Sequence, residues 1–324
     1  ENDTFDCSGK VTVADWEIKC SKRTGHGHQT LAKAVGNSCN PAFIEIGRRL
    51  GKDKFYEYFE AFGMMENTGI DLPGEASLSG AIWSKEGMGE VELATASFGQ
   101  RFEVTPLQMI CGFSAVINGG NLVKPYVVQS VSSHDGTTVK NTEPEIIRQV
   151  VSKQTSQRAA DILEQVVSNG TGGNAYVAGY RIGGKTGSSE VKREQDHTIV
   201  SFMGYAPADD PKVIVLIAYD RPLPKAPGAN ETAHGTYISG GNMAAKKAGP
   251  LIAEILDYMG IEKVYSADES AAVDVSMPRV TGMSLADAKK ELEKKNLKLR
   301  TIGEGDIISR QVPAAGTSIP GAPL

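Results

Sequence analysis

Apolar residues recur at helical spacing in the first third of the chain and at alternate positions in its later part. Between residues 29 and 51 this spacing is broken at 37–41 by a stretch that contains an Asn-Pro pair. The pattern predicts two helices there, one on each side of the break. Further helices are predicted over 53–62, 106–118, 156–168 and 249–259, and Pro106 is a typical first helical residue.

Strand patterns are shorter and cluster late in the chain. One strand is predicted over Lys10–Val13, within a first 30 residues that otherwise have the polar composition of loops. The other strands are predicted over 123–131, 179–183, 198–205 and 212–219, with turns at 134–136 and 209–211. Helices followed by antiparallel strands and a closing helix favour an α+β domain.

A change in composition marks a second, smaller unit near the C-terminal end. Residues 263–276 are polar and acidic, which is typical of a linker, and they follow a first domain over residues 1–262. Residues 277–324 predict a helix over 285–296 and strands over 297–302 and 307–312. A unit of this length has only a small core.

The charge and hydropathy of the chain argue against a nucleic-acid partner and against a membrane-spanning segment. The formal net charge is −5, which lacks the basic excess of a nucleic-acid-binding protein, so no nucleic-acid partner is expected. No apolar run approaches the roughly 20 residues that a membrane span needs. The first residue is Glu1, without a start signal, and we expect the chain to be a piece of a longer protein.

Two short motifs are candidates for chemistry on an acyl group. Lys185-Thr186-Gly187-Ser188 follows the predicted strand over 179–183 and combines a cation with hydroxyl groups, which together can hold a carboxylate. A backbone N–H at a strand edge can also stabilise an oxyanion. The second motif is Ser38-Cys39-Asn40, at the break between two predicted helices.

These motifs resemble the KTG and SxN motifs of class B penicillin-binding proteins, and three further segments are similar to signatures of that family. The order and spacing agree over roughly residues 1–260. The further segments are 97–108, 169–172 and 201–211. The resemblance implies an α+β transpeptidase fold, with an antiparallel sheet flanked by helices. Residues 277–288 and 311–316 resemble a PASTA module, whose last strand we expect to be missing from this chain.

The resemblance also implies a serine acyl-enzyme and a role for each half of the SxN motif. In this family a Ser-x-x-Lys serine attacks the penultimate D-Ala carbonyl of a peptidoglycan stem peptide. No such sequence stands N-terminal to Ser38, so the nucleophile is expected upstream of Glu1, and the fragment alone is expected to be inactive. Ser38 would relay a proton to the leaving D-Ala amine. Asn40 would bind the donor peptide's amide through its own amide group.

The KTG motif is expected to bind the substrate's carboxylate. Lys185 would supply positive potential there, and the hydroxyls of Thr186 and Ser188 would bind the terminal D-Ala carboxylate or its β-lactam mimic. Gly187 would allow the substrate backbone to approach closely. The N–H of Ser188 would form part of the oxyanion hole.

The resemblance further implies partners and a location. The expected partners are stem peptides, a lipid-linked precursor, β-lactams and a glycosyltransferase of the cell-wall machinery. The expected location is the extracytoplasmic face of the membrane, held by an N-terminal segment, in a sporulation- or elongation-type enzyme of Gram-positive Firmicutes. Alternatives are a D,D-carboxypeptidase or β-lactamase, a sensor that is acylated once, or a scaffold. The PASTA-like module would bind muropeptide or β-lactam, or act as a spacer.

A group of cysteines and histidines near the N-terminus suggests a structural zinc site, whereas catalysis by this family needs no cofactor. The spacing is C-x12-C-x5-H-x-H, and thiolate and imidazole ligands suit Zn²⁺. Some members of the resembled family carry such a Cys/Cys/His set. A disulfide between Cys7 and Cys20, or unpaired side chains, are the alternatives. The predicted ligands are Cys7, Cys20, His26 and Asp15, with His28 or Asp6 as alternatives for the fourth position. Cys39 is predicted to point into helix packing.

Overall fold

The computed structural model describes residues 2–77, 83–190, 198–266, 269, 275–295, 297 and 299–319. The chain divides into two units. Unit 1 contains Glu1–Val177 and Arg181–Ile261, and unit 2 contains Ala178–Tyr180 and Glu262–Leu324. Unit 1 carries both candidate motifs.

Unit 1 begins with four short strands, paired antiparallel as β1 with β4 and β2 with β3. The predicted strand β2 is confirmed, but the prediction of loop for the rest of this segment was wrong. Each strand has only four residues, so an alternating pattern is too short to recognise in the sequence. Their bounds are β1 Thr4–Cys7, β2 Lys10–Val13, β3 Trp16–Lys19 and β4 Gly27–Thr30.

Four helices follow, α1 Leu31–Gly36, α2 Asn40–Ala61, α3 Glu90–Ser97 and α4 Pro106–Ile117. Gly51 interrupts α2 with φ 76° and ψ 159°. This agrees with the prediction of one helix that ends at residue 51 and another over 53–62. Thr105 caps α4: its hydroxyl accepts from the Gln108 N–H, and the Gln108 side chain accepts from the Thr105 N–H. No helix in the described part of the chain has both the length and the apolar character to span a bilayer.

Four strands and a helix lead from α4 to the main sheet. They are β5 Asn121–Val123, β6 Ser130–Ser132, β7 Thr138–Asn141, β8 Ile146–Gln149 and α5 Lys153–Asn169. The turn predicted at 134–136 connects β6 to β7, where Asp135 accepts from the Thr137 N–H. The single strand predicted over 123–131 was wrong, because its two ends pair with different partners, β5 with β8 and β6 with β7.

The main sheet has three antiparallel strands in the order β11-β10-β9. These are β9 Gly183–Glu190, β10 Thr198–Ala206 and β11 Val213–Asp220, and helix α6 Lys246–Tyr258 packs against the last two. The strand predicted over 179–183 was wrong, because pairing with β10 begins at Gly183 and continues to Glu190. The Lys185–Ser188 motif therefore lies within β9 and not after a strand. At the centre of the sheet, the fully buried Tyr205 donates its hydroxyl proton to the Ala160 carbonyl at 2.9 Å.

Unit 2 is small, and the one long element among its described residues is helix α7 Leu285–Glu293. Strands β12 Val275–Ser276 and β13 Ser318–Ile319 pair antiparallel. Val280, Ala288 and Leu292 form its buried core. The strand predicted over 307–312 was wrong, since only an isolated bridge at Ile307 is present. No described residue within 297–302 belongs to a strand, and residues 296 and 298 lie outside the described residues.

Candidate active site

The fold brings together the two motifs that the sequence separates by 147 positions. The Lys185 ammonium donates to Ser38 Oγ at 2.8 Å and to the Thr186 carbonyl at 3.0 Å. Lys185 projects from β9, and Ser38 lies in the turn between α1 and α2. A cation thus lies in direct contact with a hydroxyl that can carry a proton.

Ser38 is held in a backbone conformation that few non-glycine residues adopt. Its φ is 51°, in the left-handed region, where a Cβ is crowded. Its N–H donates to the Val35 carbonyl at 3.1 Å, and the next N–H, of Cys39, donates to Ala34 at 3.0 Å. These bonds close the end of α1 and aim the Ser38 side chain at β9. Strained residues of this kind concentrate at functional sites.

Burial changes the proton affinity of Lys185. Desolvation of its ammonium lowers the Lys185 pKa to about 8, because a charge is disfavoured away from water. The side chain is therefore mainly charged at neutral pH, but it loses its proton far more readily than a surface lysine. A lysine of this kind can both hold an anion and take part in proton transfer.

The outer edge of β9 offers both hydrogen-bonding groups of Ser188. The Gln100 amide donates a long hydrogen bond of 3.4 Å to the Ser188 carbonyl, so this carbonyl points away from β10. The N–H and C=O of one strand residue point to the same side. The Ser188 N–H therefore faces the same open edge, where it can donate to an oxyanion.

Thr171 connects the two halves of the candidate site, strand β9 and the turn that contains Ser38. Its hydroxyl oxygen lies 2.9 Å from that of Thr186, and its N–H donates to the Gly36 carbonyl at 3.0 Å. One residue therefore contacts both the KTG strand and the end of the helix that precedes Ser38. A short π-helix, Gly240–Ala245, packs closely on Thr171, since a Cβ on Gly241 would lie 2.5 Å from the Thr171 carbonyl oxygen.

The remaining predicted residues lie near these groups but contact protein atoms. Asn40 donates its side-chain amide to the Lys19 carbonyl at 3.0 Å, so its Oδ1 is the atom suited to accept from a ligand. Gly187 faces β10, where an added Cβ would lie 2.6 Å from Ser201 Oγ. The Cβ-free surface of Gly187 is thus used against Ser201, and its role toward a substrate stays a prediction.

Three cysteines and one histidine meet beside the Ser38 turn. The sulfur atoms of Cys7, Cys20 and Cys39 and a ring nitrogen of His26 all lie within 4.8 Å of one another. Cys20 Sγ and His26 Nδ1 are 3.6 Å apart, which equals the S···N edge of about 3.6 Å expected for tetrahedral Zn²⁺ from the usual bond lengths. The cysteines carry no disulfide. This donor set fits a structural zinc ion.

The comparisons with known proteins agree with this arrangement of motifs. The family described as "Penicillin binding protein transpeptidase domain" matches residues 1–238, which is more than half of the chain. The chain belongs to the penicillin-binding protein transpeptidase family. The PASTA domain family matches residues 275–322.

Relatives of this transpeptidase domain are longer than the chain. Stage V sporulation protein D of Bacillus subtilis is 40% identical over 331 residues, covering 98% of this chain and 49% of that protein. Penicillin-binding protein PbpB of Mycolicibacterium smegmatis is 32% identical over 237 residues, covering 68% of this chain and 35% of that protein. The chain thus spans half or less of the length of these relatives.

Solved structures share the fold of this transpeptidase domain. Penicillin binding protein 3 of Mycobacterium tuberculosis, complexed with aztreonam, superposes with a TM-score of 0.70 at 25% identity, covering 81% of this chain and 59% of that chain. The D,D-transpeptidase domain of a peptidoglycan glycosyltransferase from Eggerthella lenta gives 0.65 at 28% identity, covering 81% and 61%. The α+β transpeptidase fold predicted from the motifs is confirmed.

The fourth member of the transpeptidase domain's Cys/His cluster differs from the prediction. Cys39 occupies that position, and the prediction of Asp15 was wrong because Asp15 is exposed in the turn between β2 and β3. The alternatives fail as well. Asp6 alternates with the buried Cys7 along β1 and therefore points to the opposite side. There it pairs with His28, at 3.0 Å between Oδ1 and Nδ1.

Burial affects the thiols of this cluster unequally. Desolvation raises the pKa of Cys39 to about 12. At Cys7 desolvation acts in the same direction, but hydrogen bonds from the backbone of His26 and Gly9 outweigh it and lower the pKa. A metal ion bound at this cluster would displace the thiol protons.

Of the residues that the sequence analysis missed, Thr171 and Gln100 lie in segments with a recognisable family signature, whereas Cys39 had no sequence signal for its position in the cluster. Thr171 and Gln100 fall within the segments 169–172 and 97–108, which resemblance marked as signatures without assigning them a role. Cys39 was assigned to helix packing, because nothing in its sequence neighbourhood indicates that the turn carries it toward β1. That proximity arises only from the packing of α2 against β1.

Proposed function

We propose that this chain forms the carboxylate-binding and proton-relay part of a serine D,D-transpeptidase that cross-links peptidoglycan stem peptides. The observation that carries the proposal is the 2.8 Å contact between Lys185 and Ser38. It joins the SxN turn to the KTG strand at the open edge of a sheet. The family membership and the names of the relatives support the same reaction class.

Two acyl transfers complete the proposed reaction. The serine oxygen forms an ester with the penultimate D-Ala carbonyl carbon, while the amide C–N bond breaks and the departing D-Ala amine takes a proton through Ser38. An amine of a second stem peptide then attacks the ester, forms a new amide and restores the serine. The serine belongs to the Ser-x-x-Lys motif that the resemblance places N-terminal to Ser38.

The residues of β9 bind and orient the substrate in this proposal. Lys185 and the hydroxyls of Thr186 and Ser188 hold the terminal carboxylate, and Asn40 accepts from the amide of the donor peptide. The Ser188 N–H stabilises the oxyanion, and such a donor is typically worth about 3 kcal/mol in the transition state. Lys185, Thr186 and Ser188 lie along the edge strand β9, to which an extended peptide can add.

We also propose that Cys7, Cys20, His26 and Cys39 hold a structural zinc ion. A metal ion held there would cross-link β1, the loop after β3 and the start of α2. Elemental analysis of the purified protein, with thiol titration, tests this. We expect about one zinc per chain, whereas no metal together with oxidised Cys7 and Cys20 would favour a disulfide.

The proposed setting is the outer face of the cell membrane. Lipid-linked precursors supply the stem peptides, a glycosyltransferase of the cell-wall machinery acts as partner, and the catalytic domain is held to the membrane by a segment N-terminal to Ser38's domain. The similarity to stage V sporulation protein D supports a role in sporulation.

Labelling with a fluorescent penicillin tests the proposed reaction. The protein is prepared with its native sequence N-terminal to Glu1, and we expect a covalent adduct on the Ser-x-x-Lys serine, identified by mass spectrometry. Lys185→Ala is expected to lower the second-order acylation rate at least 100-fold. Lys212→Ala, a surface lysine paired with Asp210, is the matched control and should react like wild type.

Product analysis then separates the alternatives. Cross-linked stem peptides support the transpeptidase, whereas release of D-Ala with hydrolysis only would indicate a carboxypeptidase. A stable penicillin adduct with neither product would favour a sensor, and absence of any adduct would refute a serine acyl-enzyme.

A further inference from the structure

Gln100 reaches across the outer edge of strand β9. Its side-chain amide donates to the Ser188 carbonyl at 3.4 Å, which is longer than the usual distance of a hydrogen bond from N–H to oxygen. Because β9 is the edge strand of the main sheet, Gln100 occupies the place that a further strand would take. A glutamine carboxamide has the same donor and acceptor groups as a peptide unit. Gln100 therefore pairs with β9 at one position, as a peptide partner would.

The turn that carries Gln100 is fixed to helix α3. Two residues with positive φ flank Gln100, Gly99 at 88° and Arg101 at 64°, and such a φ is unusual for a residue with a Cβ. The Gln100 N–H donates to the Thr95 carbonyl at 3.0 Å, and Arg101 pairs with Glu92 at 3.5 Å. The backbone of the turn is thus held by α3, while the Gln100 side chain keeps its own rotations.

An extended peptide that adds to β9 needs the carbonyl that Gln100 contacts. In the function proposed above, the C-terminal carboxylate of the ligand lies near Thr186, and the attacked carbonyl binds the Ser188 N–H. The ligand therefore runs antiparallel to β9. A residue that forms a hydrogen-bonded pair in an antiparallel ladder exchanges both N–H···O bonds with its partner, so the N–H of the same ligand residue is directed at the Ser188 carbonyl.

The C=O of that ligand amide faces the other wall of the groove. A peptide unit is planar and trans, so its N–H and C=O point in opposite directions. With the N–H directed at Ser188, the C=O points away from β9, toward the side from which Gln100 reaches the strand.

We propose that Gln100 is a specificity-determining residue that binds this amide of the ligand. The ligand's peptide unit inserts between Gln100 and Ser188: its N–H donates to the Ser188 carbonyl, and its C=O accepts from Gln100 Nε2. Both protein groups keep a partner. The inference rests on the proposed function, since it needs a ligand that adds to β9. The ligands that gain are those with an acylated nitrogen next to the attacked carbonyl, such as stem peptides and acylamino β-lactams.

The insertion requires a movement that one side chain can make. Neighbouring strands lie about 4.8 Å apart, so Nε2 has to withdraw by about that distance. Gln100 is only partly buried, and a change of rotamer moves its amide while the backbone stays fixed to α3. The long hydrogen bond to Ser188 is replaced by two to the ligand.

Two penicillins that differ at this amide test the inference, in the protein prepared with its native sequence N-terminal to Glu1. Benzylpenicillin carries the acylated nitrogen, whereas 6-aminopenicillanic acid has the same nucleus with a free amine, which keeps an N–H but lacks the C=O. Gln100→Ala should lower the second-order acylation rate of benzylpenicillin about three- to tenfold, the worth of one hydrogen bond. The rate with 6-aminopenicillanic acid should change by less than about twofold.

Two further variants complete this test. Gln157→Ala, at an exposed position of α5, is the control and should match wild type with both penicillins. Gln100→Glu keeps the test decisive if Gln100→Ala fails to fold. It keeps the size of the side chain, but a carboxylate has no proton to donate at pH 7, so the same selective loss with benzylpenicillin is expected.

The outcomes distinguish this inference from the proposed function. A wild type that forms no adduct with either penicillin would refute the serine acyl-enzyme itself. An adduct whose rate of formation falls equally for both penicillins in the Gln100 variants would mean that Gln100 acts through the structure of the site, and would refute the insertion. Unchanged or faster acylation by benzylpenicillin would refute it as well, because the glutamine would then contribute nothing to the bound ligand.

Discussion

At the scale of single residues, the site depends on one lysine whose charge is unstable. Lys185 is held between Ser38 and the Thr186 carbonyl at 2.8 and 3.0 Å, and neither partner carries a negative charge. Among the described residues, its ammonium is therefore hydrogen-bonded by neutral acceptors only, while burial disfavours its charge. In the function proposed above, the substrate's carboxylate would supply the missing counter-charge, which would make binding of the substrate and protonation of Lys185 mutually dependent.

The rate of acylation should consequently fall in mildly alkaline solution. Because burial lowers the Lys185 pKa to about 8, the free protein loses the ammonium above that pH and binds carboxylates less well. The second-order rate constant for a carboxylate-bearing β-lactam should decline about tenfold per pH unit above 8. Stopped-flow measurement of acylation between pH 6 and 10 checks this.

The matched variant is Lys185→Arg, whose guanidinium stays charged throughout this range. We expect a lower maximal rate but no alkaline decline near pH 8. An identical decline in the arginine variant would assign that ionisation to another group.

Thr171 determines how Thr186 can use its hydroxyl. If the Thr171 hydroxyl donates to Thr186 Oγ, 2.9 Å away, the proton of Thr186 is left for the carboxylate of a ligand. Thr171→Val removes this donor with little change in shape and should slow acylation about three- to tenfold, the worth of one hydrogen bond. Thr171→Ser should restore most of the rate.

The ligand's own carboxylate provides the specific readout for Thr171. The methyl ester of the same β-lactam lacks the anion, so its slower acylation should be insensitive to Thr171→Val. An equal loss with acid and ester would mean that the substitution acts through the general structure of the site.

At the scale of elements, the sequence predicted helices better than strands, for a physical reason. A cap such as Thr105 and a repeated apolar spacing lie within one helix and can be recognised locally. Strand β9 contains Gly183, Gly184 and Gly187, which have no strand preference of their own. Its position is fixed by β10, since a Cβ on Gly184 would lie 2.5 Å from the Phe202 ring. The segment became a strand through a partner that local pattern cannot indicate.

The residues of the candidate site divide in the same way, into those that a local sequence pattern indicates and those that only packing brings together. Ser38, Lys185 and their neighbours could be found because they form continuous motifs, and three of the four cluster residues, Cys7, Cys20 and His26, because of their spacing. Cys39 could not be assigned to the cluster, since its approach to β1 depends on the packing of α2.

The break inside α2 is an element-scale feature that can be tested. Gly51 has φ 76° and ψ 159°, a region that is open essentially to glycine alone and costs other residues about 1–3 kcal/mol. An added Cβ would meet no atom within 4 Å, so the whole cost of Gly51→Ala is conformational. We expect the free energy of unfolding in urea to fall by about that amount.

Lys52→Ala, at the next position, is the control and should change stability by less than about 0.5 kcal/mol, as exposed substitutions usually do. A stability of Gly51→Ala equal to wild type would show that α2 can straighten without loss.

At the scale of the whole molecule, unit 2 includes a segment that lies close in sequence to the KTG strand. Within unit 2 the Gly179 carbonyl accepts from the Val264 N–H at 2.8 Å, and the Gly179 N–H donates to Glu269 at 3.1 Å. Lys263 lies over the Tyr180 ring, 5.4 Å from its centroid. Six positions separate Gly179 from Lys185. Removal of unit 2 therefore tests whether strand β9 is positioned by the contacts at Gly179 or by its pairing in the sheet.

The pairing of β9 with β10 should prevail over those contacts. It extends from Gly183 to Glu190, and the contact of Lys185 with Ser38 lies wholly within unit 1. Deletion of residues 262–324 from the longer protein should therefore leave penicillin acylation within about twofold of wild type, and calorimetry should lose one unfolding transition. A tenfold slower acylation would instead mean that the contacts at Gly179 hold the start of β9 in place, and that the small unit serves the active site through the chain that connects them.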